Sequence, residues 1–445
     1  MSASDAPSPR RLFGTDGVRG LVGERLTADL ALRLGRAAAA VSPAASPQVL
    51  IVRDTRESGP MLECALAAGV ASGGGHALLG GVLPTPGAAL LVRRYGLDLA
   101  AVVSASHNPY RDNGIKFFGP DGMKIDDDTE AAVEAAVDAR PRTGVAPGRV
   151  RELHGAGADY LRELEARFSG LDLAGTRVLL DCAHGATHHV APEIFRRLGA
   201  DVGVIAAEPD GRNINEGCGS THTEALAERM REGAFDIGFA FDGDGDRVLA
   251  VDRRGDVVDG DELIALAALA LRARGRLTGD GVAVTVMTNF GFHQAMAAAG
   301  VQVATTKVGD RHVLSELLDR GWMLGGEQSG HIIDTAFVPA GDGTASALMT
   351  LEALAGEDLA ERRAMRKLPQ RLVNVRVVDQ HGLESSDGVW AAVDAEQRTL
   401  EGRGRVLVRS SGTEPLVRVM VEAPGEEECE AVMARLVATV ERELT

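Results

Sequence analysis

A short apolar run, Leu99-Ala100-Ala101-Val102-Val103, leads directly into Ser104-Ala105-Ser106-His107-Asn108-Pro109. The run is uninterrupted, which predicts a buried strand. Pro109 favours an extended or turn conformation for the residue before it, so we expect the strand to end here. The hydroxyl of Ser106 is therefore presented at the end of a strand, where open α/β sheets bind ligands. Taken alone, a structural turn rich in Ser and Asn is the simpler interpretation.

The same alternation of apolar strands and helical patterns recurs along the chain, which predicts α/β units. Clear examples are the strands 49–52 and 177–180 and the helices 59–73 and 190–198. Near residue 366 the pattern changes to a smaller α+β unit. The predicted division is a disordered tail over 1–10 and domains over 11–150, 151–253, 254–366 and 367–445.

Lysine is rare, since it occurs only at positions 116, 124, 307 and 367 and arginine supplies the other basic residues. An ammonium group is a compact point charge that can also titrate, unlike a guanidinium. A hairpin turn at Asn113-Gly114 would bring Lys116 back toward Ser106. Lys307 follows a predicted strand over 301–306. For Lys124 and Lys367, chance survival is the simpler explanation.

A strand over 235–241 runs into the loop Asp242–Arg247, in which three aspartates alternate with glycine. Glycine lets the loop curl, and converging carboxylates repel one another unless a cation lies between them. The predicted ligands are Asp242, Asp244 and Asp246. Oxygen ligands select Mg²⁺ or Ca²⁺, and a phosphate oxygen can fill the open positions. An EF-hand is excluded, because arginine stands where its loop needs Gly and Glu.

Glu327, Ser329 and His331 alternate along one segment, so they would face a common pocket if that segment is extended. Glu and Ser suit sugar hydroxyls, and His can carry a proton. We interpret these three residues as candidates for substrate contact.

Two segments combine arginine with glycine. Phe13–Gly20 contains three glycines, and its Arg19 is a candidate anion contact, although a plain turn is an equal alternative. Arg409–Pro415 joins arginine, hydroxyls and accessible backbone, which is typical of a phosphate nest. The predicted phosphate contacts are Arg409, Ser411, Gly412, Thr413 and, on the following strand, Arg418.

Composition limits the classes of function. The chain has 445 residues, which at about 150 residues per domain predicts roughly three domains. Its net charge of −17 argues against nucleic acid or an anionic membrane as the main partner. Four widely spaced cysteines indicate reduced thiols and a cytoplasmic protein. No apolar run approaches the ~18 residues of a membrane span.

Together these segments offer a nucleophile, a metal site, acid/base groups and a phosphate clamp, which fits phosphoryl transfer on a phosphorylated sugar. In the same order they resemble the motifs of the α-D-phosphohexomutase superfamily. Gln328 and the polar segment Asn213–His222 are most similar to its bacterial branch that acts on glucosamine phosphates. The resemblance implies four domains around a central cleft: three similar α/β domains and a smaller C-terminal α+β domain.

The resemblance also implies roles for single residues. Ser106 would carry a phosphoryl group and complete the shell of one Mg²⁺ per chain with the three aspartates. The implied reaction interconverts glucosamine 6-phosphate and glucosamine 1-phosphate through glucosamine 1,6-bisphosphate, for UDP-N-acetylglucosamine and cell-wall synthesis. The remaining implied site residues are His107, Lys116, Arg19 and His331 for catalysis and Arg247, Lys307, Glu327 and Ser329 for substrate. His331 or Lys116 would accept the hydroxyl proton, and His107 is a third candidate. A homodimer is expected.

Three alternatives stay open at this point. A phosphoglucomutase or phosphomannomutase would share the fold and the serine. A metal-dependent phosphatase would pass the phosphoryl group to water. A sugar-phosphate sensor would keep the fold without catalysis, against which the full set of acid/base and metal residues argues.

Overall fold

The computed structural model of the protein describes residues 12–14, 16–140, 144–411 and 415–445. The predicted tail over 1–10 and the predicted phosphate contacts Gly412 and Thr413 lie outside these residues. The chain divides into two compact units. The first comprises the residues up to Val286 together with Ala304–Arg362, and the second comprises Met287–Val303 together with Arg363–Thr445.

The first sheet of the larger unit contains the serine segment. Its strands are β1 (Val18–Leu21), β2 (Gln48–Arg53), β3 (His76–Val82), β4 (Leu99–Val103), β5 (Asp112–Phe118) and β6 (Val150–Glu152), with helices α1 (Ala28–Val41), α2 (Gly59–Ser72), α3 (Thr85–Tyr95) and α4 (Asp127–Val137). The strand order is β1-β5-β4-β2-β3-β6. β4 has the predicted bounds, and every one of its residues is buried. β2 and β4 are parallel, whereas β5 returns antiparallel to β4, as expected. The predicted turn position was wrong, because Asn113 and Gly114 lie within β5 and the connection between the two strands covers residues 104–111.

The second sheet carries the aspartate loop. Its elements are α5 (Ala156–Arg167), β7 (Arg177–Asp181), α6 (Val190–Arg197), β8 (Asp201–Ile205), α7 (Glu224–Arg231), β9 (Ile237–Phe241), β10 (Val248–Asp252) and β11 (Val257–Val258). The strand order is β11-β10-β9-β7-β8. β9 is parallel to β7, and β10 returns antiparallel to β9. The loop Asp242–Arg247 is therefore the turn between two paired strands.

The third sheet is reached through helix α8. The elements that follow along the chain are α8 (Gly260–Ala273), β12 (Gly281–Thr285), α9 (Phe290–Ala298), β13 (Gln302–Thr306), α10 (Asp310–Arg320), β14 (Leu324–Gly326), β15 (Ile332–Asp334), β16 (Val338–Gly341) and α11 (Gly343–Leu354). The strand order is β13-β12-β14-β15-β16. α9 belongs to the second compact unit.

The second unit is a small α+β layer. Its further elements are β17 (Gln370–Arg376), α12 (Asp387–Thr399), β18 (Arg405–Ser410), β19 (Leu416–Glu422) and α13 (Glu426–Leu444). The antiparallel sheet has the order β17-β19-β18. The segment before α9 is tied to this layer, because the Asn289 side chain exchanges two 3.0 Å hydrogen bonds with the backbone of Leu368. Short 3-10 turns cover 278–280, 359–361 and 380–385. Among the described residues, every helix is too short or too polar to cross a membrane.

Candidate active site

Ser106 lies just beyond β4 and is almost completely buried. Its hydroxyl donates a hydrogen bond to Asp242 Oδ2 at 2.5 Å, which joins the serine segment to the aspartate loop. Ser104 helps to hold the backbone of this segment, because its Oγ accepts a 3.0 Å hydrogen bond from the Ser106 N–H. The backbone φ of Ser106 is 51°, in the left-handed region that residues other than glycine seldom adopt. Strain of this kind persists only where the surroundings hold the residue in place.

The aspartate loop forms a cluster of buried carboxylates. Asp242, Asp244 and Asp246 each offer one oxygen, and these oxygens lie within 4.8 Å of one another. Within the described part of the chain, Oδ1 of Asp244 and Oδ1 of Asp246 are buried without a hydrogen-bond partner. Burying such groups is costly unless something compensates them. Because all the atoms that could ligate a metal are carboxylate oxygens, the cluster fits a hard divalent cation such as Mg²⁺.

The electrostatics of the loop lead to the same conclusion. Burial raises the pKa of Asp242 well above its ordinary value, and the charges of Asp246 and Asp244 raise it further. Burial would also raise the pKa of Asp246, but His331 and Lys116 reverse the shift and hold that pKa well below the ordinary range. The carboxylates thus need positive charge to remain ionised together, which a divalent cation supplies.

Lys116 provides part of that charge. It stands opposite Val102 in the β4–β5 pair, and its Nζ donates a hydrogen bond to Asp244 Oδ2 at 2.7 Å. Nζ also lies 3.7 Å from Oδ2 of Asp246 and from Oδ2 of Asp16. Burial alone would lower the pKa of Lys116, but the three carboxylates outweigh it and raise that pKa above its ordinary value. Lys116 therefore carries its proton here.

His107 presents an unprotonated nitrogen to the serine. Its Nδ1 lies 3.3 Å from Ser106 Oγ and 3.3 Å from Arg247 Nη1. A guanidinium can only donate, so Nδ1 is the acceptor. Burial lowers the pKa of His107, and the charges of Arg247 and Arg19 lower it further. The imidazole beside Ser106 is thus neutral.

The segment from Glu327 to His331 is a turn, so the condition under which the three side chains would face a common pocket, an extended segment, is not met. The Gly330 N–H donates to Glu327 O, and the Glu327 N–H donates to His331 O, each at 3.0 Å. These bonds close the chain on itself and leave Ser329 exposed. The conformation suits glycine at position 330, whose φ is 90°.

Glu327 and His331 are nevertheless both held in place. Glu327 Oε1 accepts a hydrogen bond from the Gly309 N–H at 3.0 Å, at the start of α10. The Gly341 N–H donates to His331 Nε2 at 3.1 Å. Nδ1 of His331 lies 3.7 Å from Asp246 Oδ2 and therefore faces the carboxylate cluster.

A cavity of about 670 Å³ brings several of these groups together, but its lining residues do not include Ser106, Lys116, Asp242 or Asp244. The predicted site residues among its lining are Arg19, His107, Asp246, Arg247, Glu327 and His331. Lys307 is exposed and is not among the lining residues, although its neighbour Val308 is. Ser329 does not line the cavity either.

The cavity is also lined by charged residues that were not predicted from the sequence, among them Asp16, Lys124 and Asp310. Lys124 Nζ lies 2.5 Å from both Asp16 Oδ1 and Asp310 Oδ2. Asp16 also forms an ion pair with Arg19. The residue predicted to contact an anion is therefore paired with a carboxylate of the protein itself. The rarity of lysine was the available signal for Lys124, whereas nothing local distinguished the two aspartates.

The predicted phosphate clamp lies on the sheet of the second unit. Arg409 on β18 stands opposite Arg418 on β19. Burial lowers the pKa of Arg409, and the like charge of Arg418 lowers it further. Nε of Arg418 is buried and, among the described residues, has no hydrogen-bond partner. Ser411 is buried beside them, and its N–H donates to Leu416 O at 2.8 Å. Two neighbouring guanidinium groups, one of which has an unused N–H donor, are suited to bind an anion.

Models of one protein family match nearly the whole chain. They describe the domains of phosphoglucomutase/phosphomannomutase: alpha/beta/alpha domain I over residues 10–143, domain II over 158–255, domain III over 259–372 and the C-terminal domain over 372–439.

Similar proteins match over nearly the full length of both chains. The phosphoglucosamine mutase of Moorella thermoacetica is 51% identical over 437 residues, covering 96% of this chain and 98% of its own. That of Geobacillus kaustophilus is 47% identical, covering 98% and 99%. Among solved structures, a phosphoglucomutase/phosphomannomutase family protein from Burkholderia thailandensis shares the fold with a TM-score of 0.81 at 23% identity, covering 97% of each chain.

Proposed function

The chain belongs to the phosphoglucomutase/phosphomannomutase family, and from that premise we propose that it interconverts glucosamine 6-phosphate and glucosamine 1-phosphate. As a member of this family it is an enzyme, an isomerase that moves a phosphoryl group. The choice of glucosamine phosphates is supported by nearly full-length relatives at 47–51% identity that are phosphoglucosamine mutases. The proposed role is to supply the precursor of UDP-N-acetylglucosamine.

One observation carries the proposed chemistry: the Ser106 hydroxyl lies 2.5 Å from a carboxylate of a buried three-aspartate cluster. A serine in that position could carry a phosphoryl group beside the carboxylates that would hold a cation. Phosphoryl transfer depends mainly on positioning and on neutralising charge. The cationic side chains near Ser106, those of Lys116 and Arg247, can neutralise the charge of the phosphoryl group.

In the proposed cycle, phospho-Ser106 transfers its phosphoryl group to the free hydroxyl of the bound sugar phosphate, which forms glucosamine 1,6-bisphosphate. The sugar hydroxyl loses its proton as its oxygen bonds to phosphorus. The bisphosphate turns round, and Ser106 takes back the other phosphoryl group. Lys116 and Arg19 neutralise the transferring group, while Arg247 and Glu327, which line the cavity, contact the sugar phosphate.

We further propose that Asp242, Asp244 and Asp246 hold one Mg²⁺ together with the phosphoserine. When bound, the ion withdraws charge from the phosphoryl oxygens and makes phosphorus easier to attack. Lys116 keeps the neighbouring carboxylates in place through its 2.7 Å contact with Asp244.

The proton acceptor is one of three residues, each with its own constraint. Lys116 would first have to lose a proton that three carboxylates hold. His331 Nε2 already accepts from the Gly341 N–H, so this nitrogen must first be freed. His107 has an unprotonated Nδ1 that faces Ser106.

The remaining proposals concern phosphate binding, location and assembly. Arg409, Ser411 and Arg418, with Gly412 and Thr413, would bind the phosphate that is not being transferred. We propose four domains over 11–150, 151–253, 254–366 and 367–445. All four cysteines are free thiols, in keeping with the cytoplasmic location that we propose. The proposed assembly is a homodimer. We propose no nucleic-acid or membrane partner.

The decisive experiment compares the intact masses of the wild type and of Ser106→Ala after incubation with glucose 1,6-bisphosphate. We expect a phosphoryl increment only on the wild type, and mutase activity only with the wild type. An equal increment on both proteins contradicts the phosphoserine assignment.

The substrate is tested by comparing turnover of the 1-phosphates of glucosamine, glucose and mannose. We expect the highest kcat/KM for glucosamine 1-phosphate. Equal or greater turnover of mannose 1-phosphate would identify a phosphomannomutase, and steady release of inorganic phosphate without an isomer would identify a phosphatase.

A further inference from the structure

An arginine three positions after the end of β2 is completely buried. Arg56 has no exposed surface, and Asp54 balances its charge, since Asp54 Oδ2 accepts a hydrogen bond from Arg56 Nε at 2.8 Å. A buried guanidinium is costly unless it is paired and its remaining donors are also used. The places where those donors go therefore indicate what the residue is for.

The remaining donors of Arg56 reach the backbone of the serine segment. Nη2 donates to the carbonyl oxygens of Ser106 and Asn108 at 2.9 and 2.8 Å. Nη1 donates to the carbonyl oxygens of Asp112, at 2.9 Å, and of Pro109. One rigid, planar group thus fixes the connection between β4 and β5 at several points.

Asn215 holds two of the same carbonyl groups. Its Nδ2 donates to Ser106 O at 2.9 Å and to Asn108 O at 3.1 Å. Asn215 belongs to the polar segment Asn213–His222, which no step of the proposed reaction uses. Its backbone φ of 59° is in the left-handed region, which asparagine tolerates better than most residues.

Gly243 of the aspartate loop packs tightly against the Ser106 carbonyl group and the Asn215 side chain. A Cβ atom added to Gly243 would lie 2.6 Å from Ser106 O and 2.7 Å from Asn215 Nδ2. The aspartate loop, the serine segment and the Asn215 side chain are therefore in direct contact. A shift of the serine backbone would have to displace the metal-binding loop as well.

We propose that Arg56 and Asn215 are positioning residues for phosphoryl transfer, which hold the Ser106 backbone in its left-handed conformation and so aim Oγ at the aspartate cluster. This inference rests on the proposed function, because it assigns both residues a part in the reaction of Ser106. Neither residue lines the cavity that contains Glu327 and His331. Their loss therefore lowers the rate of transfer and leaves substrate binding unchanged.

The test uses Asn215→Gly, which retains the left-handed backbone, and Asn215→Asp, which retains the shape of the side chain without its donor. The matched control is Asn213→Asp in the same segment, where Nδ2 donates to Glu208 O at 2.9 Å. A displacement of about 1 Å can cost about 100-fold in rate. We expect kcat to fall about 10- to 100-fold in both Asn215 variants, with KM for glucosamine 1-phosphate within about threefold of the wild type.

Arg56→Lys is the second arm, because it retains the charge and loses the fork of donors. We expect a fall in kcat at least as large as that of the Asn215 variants. Melting temperatures are measured for every variant by circular dichroism. We expect those of the Asn215 variants to stay within about 3 °C of the Asn213→Asp control.

The outcomes distinguish a failure of the proposed function from a failure of the positioning role of Arg56 and Asn215. An inactive wild type overturns the proposed function and this inference with it. An active wild type whose Asn215 variants retain full kcat overturns the inference alone. A rise in KM at constant kcat, or a fall in kcat matched by a loss of melting temperature, also overturns it, because the residues would then serve binding or general stability.

Discussion

Asp244 is the residue at which the aspartate cluster and the surrounding protein meet. Its Oδ2 accepts hydrogen bonds from Thr85 Oγ1 at 2.6 Å and from Lys116 Nζ at 2.7 Å. Its Oδ1 is among the buried oxygens that lack a partner within the described residues. One oxygen therefore fixes the orientation of the side chain, and the other is available to a cation.

The Asp244→Asn variant tests this division. The amide retains an oxygen but loses the charge, so we expect the Mg²⁺ concentration for half-maximal activity to rise at least about tenfold. Asp236→Asn is the control, since Asp236 is an exposed partner of Arg177. An unchanged Mg²⁺ dependence in Asp244→Asn would contradict the assignment of this carboxylate as a ligand.

At the scale of single elements, α11 begins on an aspartate with an unusual environment. Asp342 is the N-cap of α11, where it accepts a hydrogen bond from the Ala345 N–H at 2.9 Å. The hydroxyl of Tyr160 on α5 donates to it at 2.9 Å. Burial raises the pKa of Asp342 to about 6 in spite of these bonds.

The pH dependence of stability follows from that shift. Since the folded-state pKa is raised, the native protein holds this proton more tightly than the unfolded chain does. The resulting stability is complete below the ordinary Asp pKa and is lost as the pH rises through about 6. Asp342→Asn retains the acceptor and does not titrate. We therefore expect its stability relative to the wild type to increase by about 1 kcal/mol between pH 5 and 8.

The measurement is the melting temperature of both proteins across that pH range. Asp126→Asn is the matched N-cap control, because Asp126 caps α4 from an exposed position and its hydrogen bonds to Thr129 lower its pKa. The control should not gain stability relative to the wild type with rising pH. A constant difference between Asp342→Asn and the wild type would exclude this titration.

At the scale of the larger unit, Lys124 connects parts of the chain that are far apart in sequence. It lies between Asp16, near the N-terminus, and Asp310, the first residue of α10. Its pKa is raised because these two carboxylates outweigh the effect of burial. The ammonium group thus separates two acidic side chains in the wall of the cavity.

Lys124→Met should leave Asp16 and Asp310 facing each other without a cation. We expect a loss of about 2 kcal/mol in stability, seen as a lower melting temperature, because a mostly buried ion pair is broken. The control is Lys367→Met, at an exposed lysine, for which we expect a change within about 0.5 kcal/mol. Equal melting temperatures for the two variants would mean that the contact contributes nothing.

The sequence by itself determined the local parts of this protein. The strand Leu99–Val103, the antiparallel return of Lys116 and the converging aspartates could all be predicted, because periodicity and charge repulsion act within a few positions along the chain. The position of the turn could not, since Asn113 and Gly114 lie within β5. The helices 59–73 and 190–198 were confirmed to within a residue at each end for the same reason.

Only the tertiary structure decided which distant groups meet. Lys124 and Asp310 are 186 positions apart, and Asn215 and Ser106 are 109 apart. No local pattern specifies such pairs, because they depend on how separately formed sheets pack. Ser329 shows the same limit. An extended segment would have placed it in a pocket with Glu327 and His331, but the segment is a turn and leaves Ser329 exposed. Local chemistry thus indicated the candidate nucleophile and the candidate metal ligands, and packing supplied the groups that hold them.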